Sequence, residues 1–224
     1  MTKRIVIAID GPAGVGKTTA ARLVAERLGF KLIDTGAIYR ALALLARERG
    51  ISWDEEEPLA TLAAQIRLDF SGPASSQKVL LEGRDVSREI RTPEISEGAS
   101  RVSRHPGVRQ ALLELQRRLA GQGGAVMEGR DIGTVVWPQA EVKVFLTAEE
   151  EVRARRRFQE LREKNLPVDF NETLEQMRRR DERDSKREAA PLKPASDAVI
   201  IDSGEMTAEQ VVEQIIKLAA KKLK

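Results

Sequence analysis

The stretch RIVIAIDGPAGVGKTTAARLVAERL, residues 4–28, limits what this chain can fold into more than any other. Its first part is continuously apolar and rich in β-branched residues, and it stops at Gly11–Pro12. A strand with no polar face has to be covered on both sides, which is how a central strand of a parallel sheet reads. KTTAARLVAERL, 17–28, then sets Ala20, Leu23, Val24 and Leu28 at helical spacing, and Gly29 is expected to close the helix.

Between strand and helix, GPAGVGKT at 11–18 fits G-x-x-x-x-G-K-[ST] at Gly11, Gly16, Lys17 and Thr18. Glycines let a backbone curl so that its N–H groups point inward at phosphate oxygens, and the helix behind adds its positive end. The loop Gly11, Pro12, Ala13, Gly14, Val15, Gly16, Lys17, Thr18 and Thr19 is therefore expected to hold the phosphates of ATP. Lys17 is expected to reach the β- and γ-phosphates, and the Thr18 hydroxyl to ligate Mg²⁺. The bland alternative is a strand–helix turn with no ligand.

The alternation continues. KLID at 31–34 reads as a second strand, followed by a helix through 39–50. Later strands are AVM at 125–127, VKVFL at 142–146 and AVIID at 198–202. Helices are expected at 106–121, through the charged stretch from about 149 to 187, and from Thr207, where T-A-E-Q is a capping box. This pattern predicts a three-layer α/β domain on a parallel sheet. Residues 65–92 break it with short strand-like runs between Gly, Pro and Ser, IRLDF and KVLLEG being the firmer, and predict a small antiparallel insertion.

Two segments after strands carry acceptor-site candidates. DTGAIYR, 34–40, offers Thr35 at a helix start and Arg40 one turn on, though Arg40 can equally face solvent. GRDIG, 129–133, delivers Arg130 and Asp131 to the carboxyl edge of the sheet, where open α/β folds bind ligands. The echo at Arg84–Asp85 reads instead as a solvated turn. The charged stretch is dense in arginine, which suits a mobile lid that neutralises polyphosphate; Arg155 and Arg157 are placed on ATP. Its later part, RRRDERDSKRE at 178–188, sets Arg180, Asp184 and Arg187 at i, i+4, i+7.

Several classes are excluded or weakened. Thirty-eight basic against 35 acidic residues leave a net charge of only +3, and aromatics are 4%, against a general nucleic-acid binder. There is no cysteine for a disulfide, thiolate metal site or Cys nucleophile. No apolar run is long enough to span a membrane, and the five-residue run Ile5–Ile9 is too short for a secretion signal, so a cytoplasmic protein with no membrane partner is expected. His105, the single histidine, precedes Pro106 and reads as structural or exposed. The tail KKLK, 221–224, reads as helix C-terminal lysines facing the dipole.

Together, GPAGVGKTT, DTGAIYR, EGRDIGT and RRDERDSKREAAPL, in that order, resemble the bacterial cytidylate kinases from end to end. The resemblance implies a P-loop nucleoside monophosphate kinase fold: a five-stranded parallel core (about 1–34, 101–147 and 189–224), an NMP-binding region with its insertion (about 35–100) and a helical lid (about 148–188). It implies phosphoryl transfer from ATP to CMP or dCMP with Mg²⁺, by a monomer. It implies Thr35, Arg40 and Arg130 on the acceptor monophosphate, with Arg187 reaching in from the lid; Ser100, Arg109 and Asp131 on the cytosine edge; and Arg180 and Asp184 on ribose and phosphate. Lys17, Arg130, Arg180 and Arg187 would carry the transfer. Thr35 departs from the family, which often has Ser there. The rivals are another small-acceptor kinase of the same fold (UMP, AMP or shikimate) and a P-loop switch; the latter lacks the N-K-x-D motif of common GTPases.

Overall fold

The computed structural model describes residues 4–121 and 123–223. β1 (Val6–Asp10) is the centre of a five-stranded, all-parallel sheet ordered β2-β6-β1-β7-β8. The other strands are β2 (Lys31–Asp34), β6 (Ala125–Gly129), β7 (Val142–Thr147) and β8 (Val199–Asp202). The unbroken apolar run has its expected cause. Ile5, Ile7 and Ile9 pack on one face against α1 (Lys17–Leu28) and α8 (Ala208–Leu223), while Val6 and Ala8 pack on the other with Ile33, Ala120 and Met127. Gly29 closes α1 in the left-handed conformation, its N–H on the Glu26 carbonyl. The capping box before α8 is formed: the Gln210 N–H donates to Thr207 Oγ1 at 3.2 Å, and the Thr207 N–H to Gln210 Oε1 at 2.8 Å. Lys221 and Lys222 lie in the last turn of α8; Lys224 is outside the described residues.

The insertion is a three-stranded antiparallel sheet of β3 (Leu68–Ser71), β4 (Lys78–Leu81) and β5 (Arg84–Asp85). Glu82 and Gly83, both at positive φ, make the β4–β5 turn, and Arg84 and Asp85 are exposed. Two flanking helices were not anticipated, α3 (Glu56–Gln65) and α4 (Pro93–Val102). With α2 (Thr35–Glu48) and α5 (Pro106–Ala120) they enclose a second apolar cluster running from Ala37 to Leu115. α2 begins four residues earlier than the 39–50 reading, because Asp34 caps it by accepting from the Ala37 N–H at 2.9 Å. The charged stretch is two helices rather than one, α6 (Glu150–Glu163) and α7 (Phe170–Lys186). Asn165 at φ 55 and Pro167 break the path, and Asp169 restarts it by capping the Glu172 N–H at 3.0 Å.

Candidate active site

A cleft of about 530 Å³ opens at the carboxyl edge of β1, β2 and β6. The phosphate loop forms one end. Gly11 takes φ +145, and a side chain there would collide with the Leu146 carbonyl of β7, so only glycine lets the loop leave the strand. Gly16, at φ 86, caps α1. Ala13, Gly14, Gly16, Lys17, Thr18 and Thr19 line the cleft; Gly11, Pro12 and Val15 do not and serve the loop's shape. Two residues missed in the sequence hold that shape. Ser203 Oγ donates to the Val15 carbonyl at 3.0 Å, and Arg153 on α6 donates to the Ala13 carbonyl at 3.2 Å.

The Lys17 ammonium donates to the Pro12 carbonyl at 2.6 Å, curled back on its own loop. Burial and the nearby Arg130 and Arg180 hold its pKa well below the ordinary lysine value, against the pull of Glu128 and Asp10. An anionic ligand beside it would draw its pKa back up.

The acidic side of the cleft was also missed. Asp34, the last residue of β2, pairs with Glu128, the last but one of β6. Glu128 is 3% exposed, and burial together with Asp34 pushes its carboxyl up to about 7. Its Oε2 accepts from Thr18 Oγ1 at 3.0 Å, while its buried Oε1 has no partner. A hydroxyl and a carboxylate with an unsatisfied oxygen form a hard oxygen pair that suits Mg²⁺ delivered with a nucleotide. No group of three or more acidic or histidine side chains among the described residues makes a metal cage by itself.

On the acceptor side, Arg40 faces the cleft rather than solvent, held by Asp34 Oδ2 at 2.7 Å, with its buried Nε unpartnered. The Thr35 hydroxyl, expected on the acceptor monophosphate, sits in the first turn of α2 and donates to the Glu128 carbonyl at 2.7 Å. Arg109 pairs with Asp131 and lies 5.6 Å from the Tyr39 ring centroid. Arg187 approaches the other Asp131 oxygen at 3.5 Å. The Ser100 hydroxyl, buried in the same wall, has no partner.

The second helix of the charged stretch, α7, contributes as well. Arg180 and Asp184 line the cleft, and Arg187 joins them from just past the helix end, where its own backbone is already extended. Arg130 Nε donates to Asp184 at 3.0 Å. Burial would raise the Asp184 carboxyl, but Arg130, Arg180 and Arg187 together hold it below the ordinary value. Arg180 falls to about 10 through burial and repulsion from Arg130, and its buried Nε has no partner. Of the two α6 arginines expected on ATP, Arg157 lines the cleft and Arg155 does not reach it. Its side chain is 74% exposed beside Glu151, because α6 presents Arg156, Arg157, Glu160 and Lys164 inward and turns 155 away. Arg156, unassigned in the sequence, donates to the Ser203 carbonyl at 2.6 Å next to the phosphate loop. His105 is structural: it is buried, with Nε2 3.0 Å from the Trp53 carbonyl.

The cleft therefore has a triphosphate loop at one end and a second arginine cluster at the other, with a shared wall of Glu128, Arg130 and Asp131. A model of the family described as cytidylate kinase matches residues 7–221. A cytidylate kinase of Syntrophotalea carbinolica is 49% identical over 222 residues, 99% of this chain and 94% of that protein. One of Vibrio cholerae is 48% identical over 218 residues, 97% of each chain, and one of Pseudomonas aeruginosa 50% over 214, covering 95% and 93%. A two-ended anion cleft of this build, matched over nearly the whole length at about half of all positions, makes this chain a member of the cytidylate kinase family.

Proposed function

We propose that this chain transfers the γ-phosphoryl group of ATP to CMP or dCMP, giving ADP and CDP or dCDP. The observation that carries the reading is the second cluster of cations opposite the phosphate loop: Arg40 and Arg180, each with a buried unpartnered Nε, beside Arg130. A hydrolase needs one phosphate site; a kinase with a phosphorylated acceptor needs two.

The acceptor phosphate has a second pKa of about 6 and is mostly dianionic at neutral pH, so its attacking oxygen needs no base. The barrier is repulsion between two polyanions, and catalysis is alignment plus neutralisation. In this reading Gly11–Thr19 hold the donor phosphates, with Arg157 and Arg156 near them on α6. Arg40, Arg130 and Arg180 hold the acceptor phosphate, and Thr35 fixes the β6 end through the Glu128 carbonyl. Thr18 and Glu128 would hold Mg²⁺ together with the ATP phosphates; when bound, the ion screens charge on the β- and γ-oxygens. Ser100, Arg109 and Asp131 present a hydroxyl, a guanidinium and a carboxylate on one wall, a donor and acceptor set that suits the amino, ring nitrogen and carbonyl of cytosine. Asp184 orients Arg130 and accepts from a ribose hydroxyl. Residues 35–100 act as the acceptor-binding region and 148–188 as the lid, in a monomer working in the cytoplasm.

The test is ADP release from ATP and Mg²⁺ with CMP, dCMP, UMP, AMP and shikimate. CMP and dCMP should accelerate release at least about tenfold over the others, a discrimination within reach of a site that leaves buried polar groups unpaired by the wrong base. Equal rates across the panel would overturn the reading.

A further inference from the structure

Asp10 is the last residue of β1, one step before the phosphate loop, yet its side chain serves the opposite half of the cleft. It is 5% exposed and does not line the cleft. Its two oxygens accept from two successive backbone donors, the Ile132 N–H and the Gly133 N–H, both at 2.8 Å. These donors open a single wide turn, Ile132–Val136, in which the Trp137 N–H reaches back five residues to the Ile132 carbonyl at 2.7 Å. Asp131, just before the turn, has φ −148 and ψ 26, outside the regular regions. It carries the carboxylate between Arg109 and Arg187, and Arg130 precedes it. Gly133 leaves room for this arrangement, since a Cβ there would stand 3.4 Å from Asp10 Oδ2 and 3.2 Å from Lys143 Cδ.

We propose that Asp10 is a positioning residue for the acceptor nucleotide: by bridging the Ile132 and Gly133 N–H groups it sets the angle at which Arg130 and Asp131 enter the cleft, and it ties that angle to the end of the strand that carries the donor loop. A carboxylate is the side chain that can accept from both donors at once. An amide offers one acceptor and turns an N–H toward the other donor. Burial pushes the Asp10 carboxyl up to about 6 despite these two bonds, so a charged group is retained here against a desolvation cost. The inference rests on the function proposed above.

The experiment measures affinity for CMP alone and for ATP alone by calorimetry, together with KM for each, in the full chain and two variants. Asp10→Asn preserves volume and removes one acceptor. Gly133→Ala keeps every charge and sets a methyl group on the turn, against Asp10 Oδ2 at 3.4 Å and the Lys143 stem at 3.2 Å. A turn that presents Arg130 and Asp131 at the wrong angle corresponds to a loss of about 5- to 100-fold in CMP affinity. CMP affinity should fall by that factor in both folded variants; ATP affinity should fall less in Asp10→Asn, which also takes a charge from near Lys17, and stay within about twofold of the parent in Gly133→Ala, which keeps every charge. A loss shared equally by both nucleotides, or unchanged CMP affinity, overturns the inference. If Asp10→Asn does not fold, Gly133→Ala decides by the same ratio. A parent protein that binds ATP but not CMP would instead sink the proposed function.

Discussion

Glu128 stands 3% exposed beside Asp34 on the neighbouring strand, with Lys17 and Arg40 as the opposing charges. Its pKa in the fold, about 7, lies above the ordinary 4.5. Between those values the folded protein holds a proton that the unfolded chain has lost, so stability falls as pH rises through this window. Glu128→Gln removes that loss. The ligand-free variant should melt above the parent at pH 8, by an amount on the order of 1–3 kcal/mol, with the gap closing toward pH 5. The same variant should lose at least about tenfold in Mg²⁺-dependent turnover. Thermal melts at three pH values check the first part; a gap independent of pH would show that Glu128 does not titrate as described.

At the scale of elements, the placing of Arg180 and Asp184 depends on where α7 starts. Asp169 is exposed and its carboxylate caps the Glu172 N–H, while the Asp169 carbonyl accepts from Thr173 Oγ1 at 2.7 Å. Asp169→Ala should loosen the first turn of α7 by about 1 kcal/mol. Hydrogen exchange should quicken at residues 172–174, with the sheet amides unchanged. Protection that stays the same at the start of α7 would show that packing on α6, not the cap, sets the helix. The break before Asp169 was legible in Asn165 and Pro167, but the density of charge in this stretch masked it. α4 also announced itself, since Thr92 caps the Ile95 N–H and Pro93 takes the first helical position. α3 begins at Glu55 with no side-chain cap, and only its packing with α5 and α2 through Leu59, Leu62 and Ala63 defines it.

Across the whole molecule, the two walls of the cleft are joined by a bidentate pair. Arg183 on α7 donates to both oxygens of Glu97 on α4, at 2.7 and 2.9 Å. Both groups are partly exposed, so the pair is worth at most about 1 kcal/mol after solvent screening. That is enough to influence closure of the lid proposed over residues 148–188. Glu97→Gln should raise the KM for CMP by about two- to fivefold and flatten its dependence on salt, with little change in melting temperature. A salt dependence identical to that of the parent would leave the pair without influence on closure.

The chain's linear order determined the parts that depend on local chemistry. The apolar β1, the glycine loop and the capped helices follow from which residues adjoin which, and so do Thr35, Arg40, Arg130 and Asp131 just past the strands; Ser100 and Arg109 are implied only by the family resemblance. Three neighbouring strands each carry a carboxylate at or next to their last residue, Asp10, Asp34 and Glu128, a pattern visible in RIVIAID, KLID and AVME once the strands are known to be adjacent. What those carboxylates do was decided only by tertiary structure. Parallel pairing sets Asp34 against Glu128, and the long returns through α2–α5 bring the 130–136 turn over Asp10. The rotation of α6 likewise separates Arg156 and Arg157 in the cleft from Arg155 in solvent, three adjacent arginines that no composition distinguishes. Burial and the sign of neighbouring charge are properties of position in space, and they give identical side chains different work.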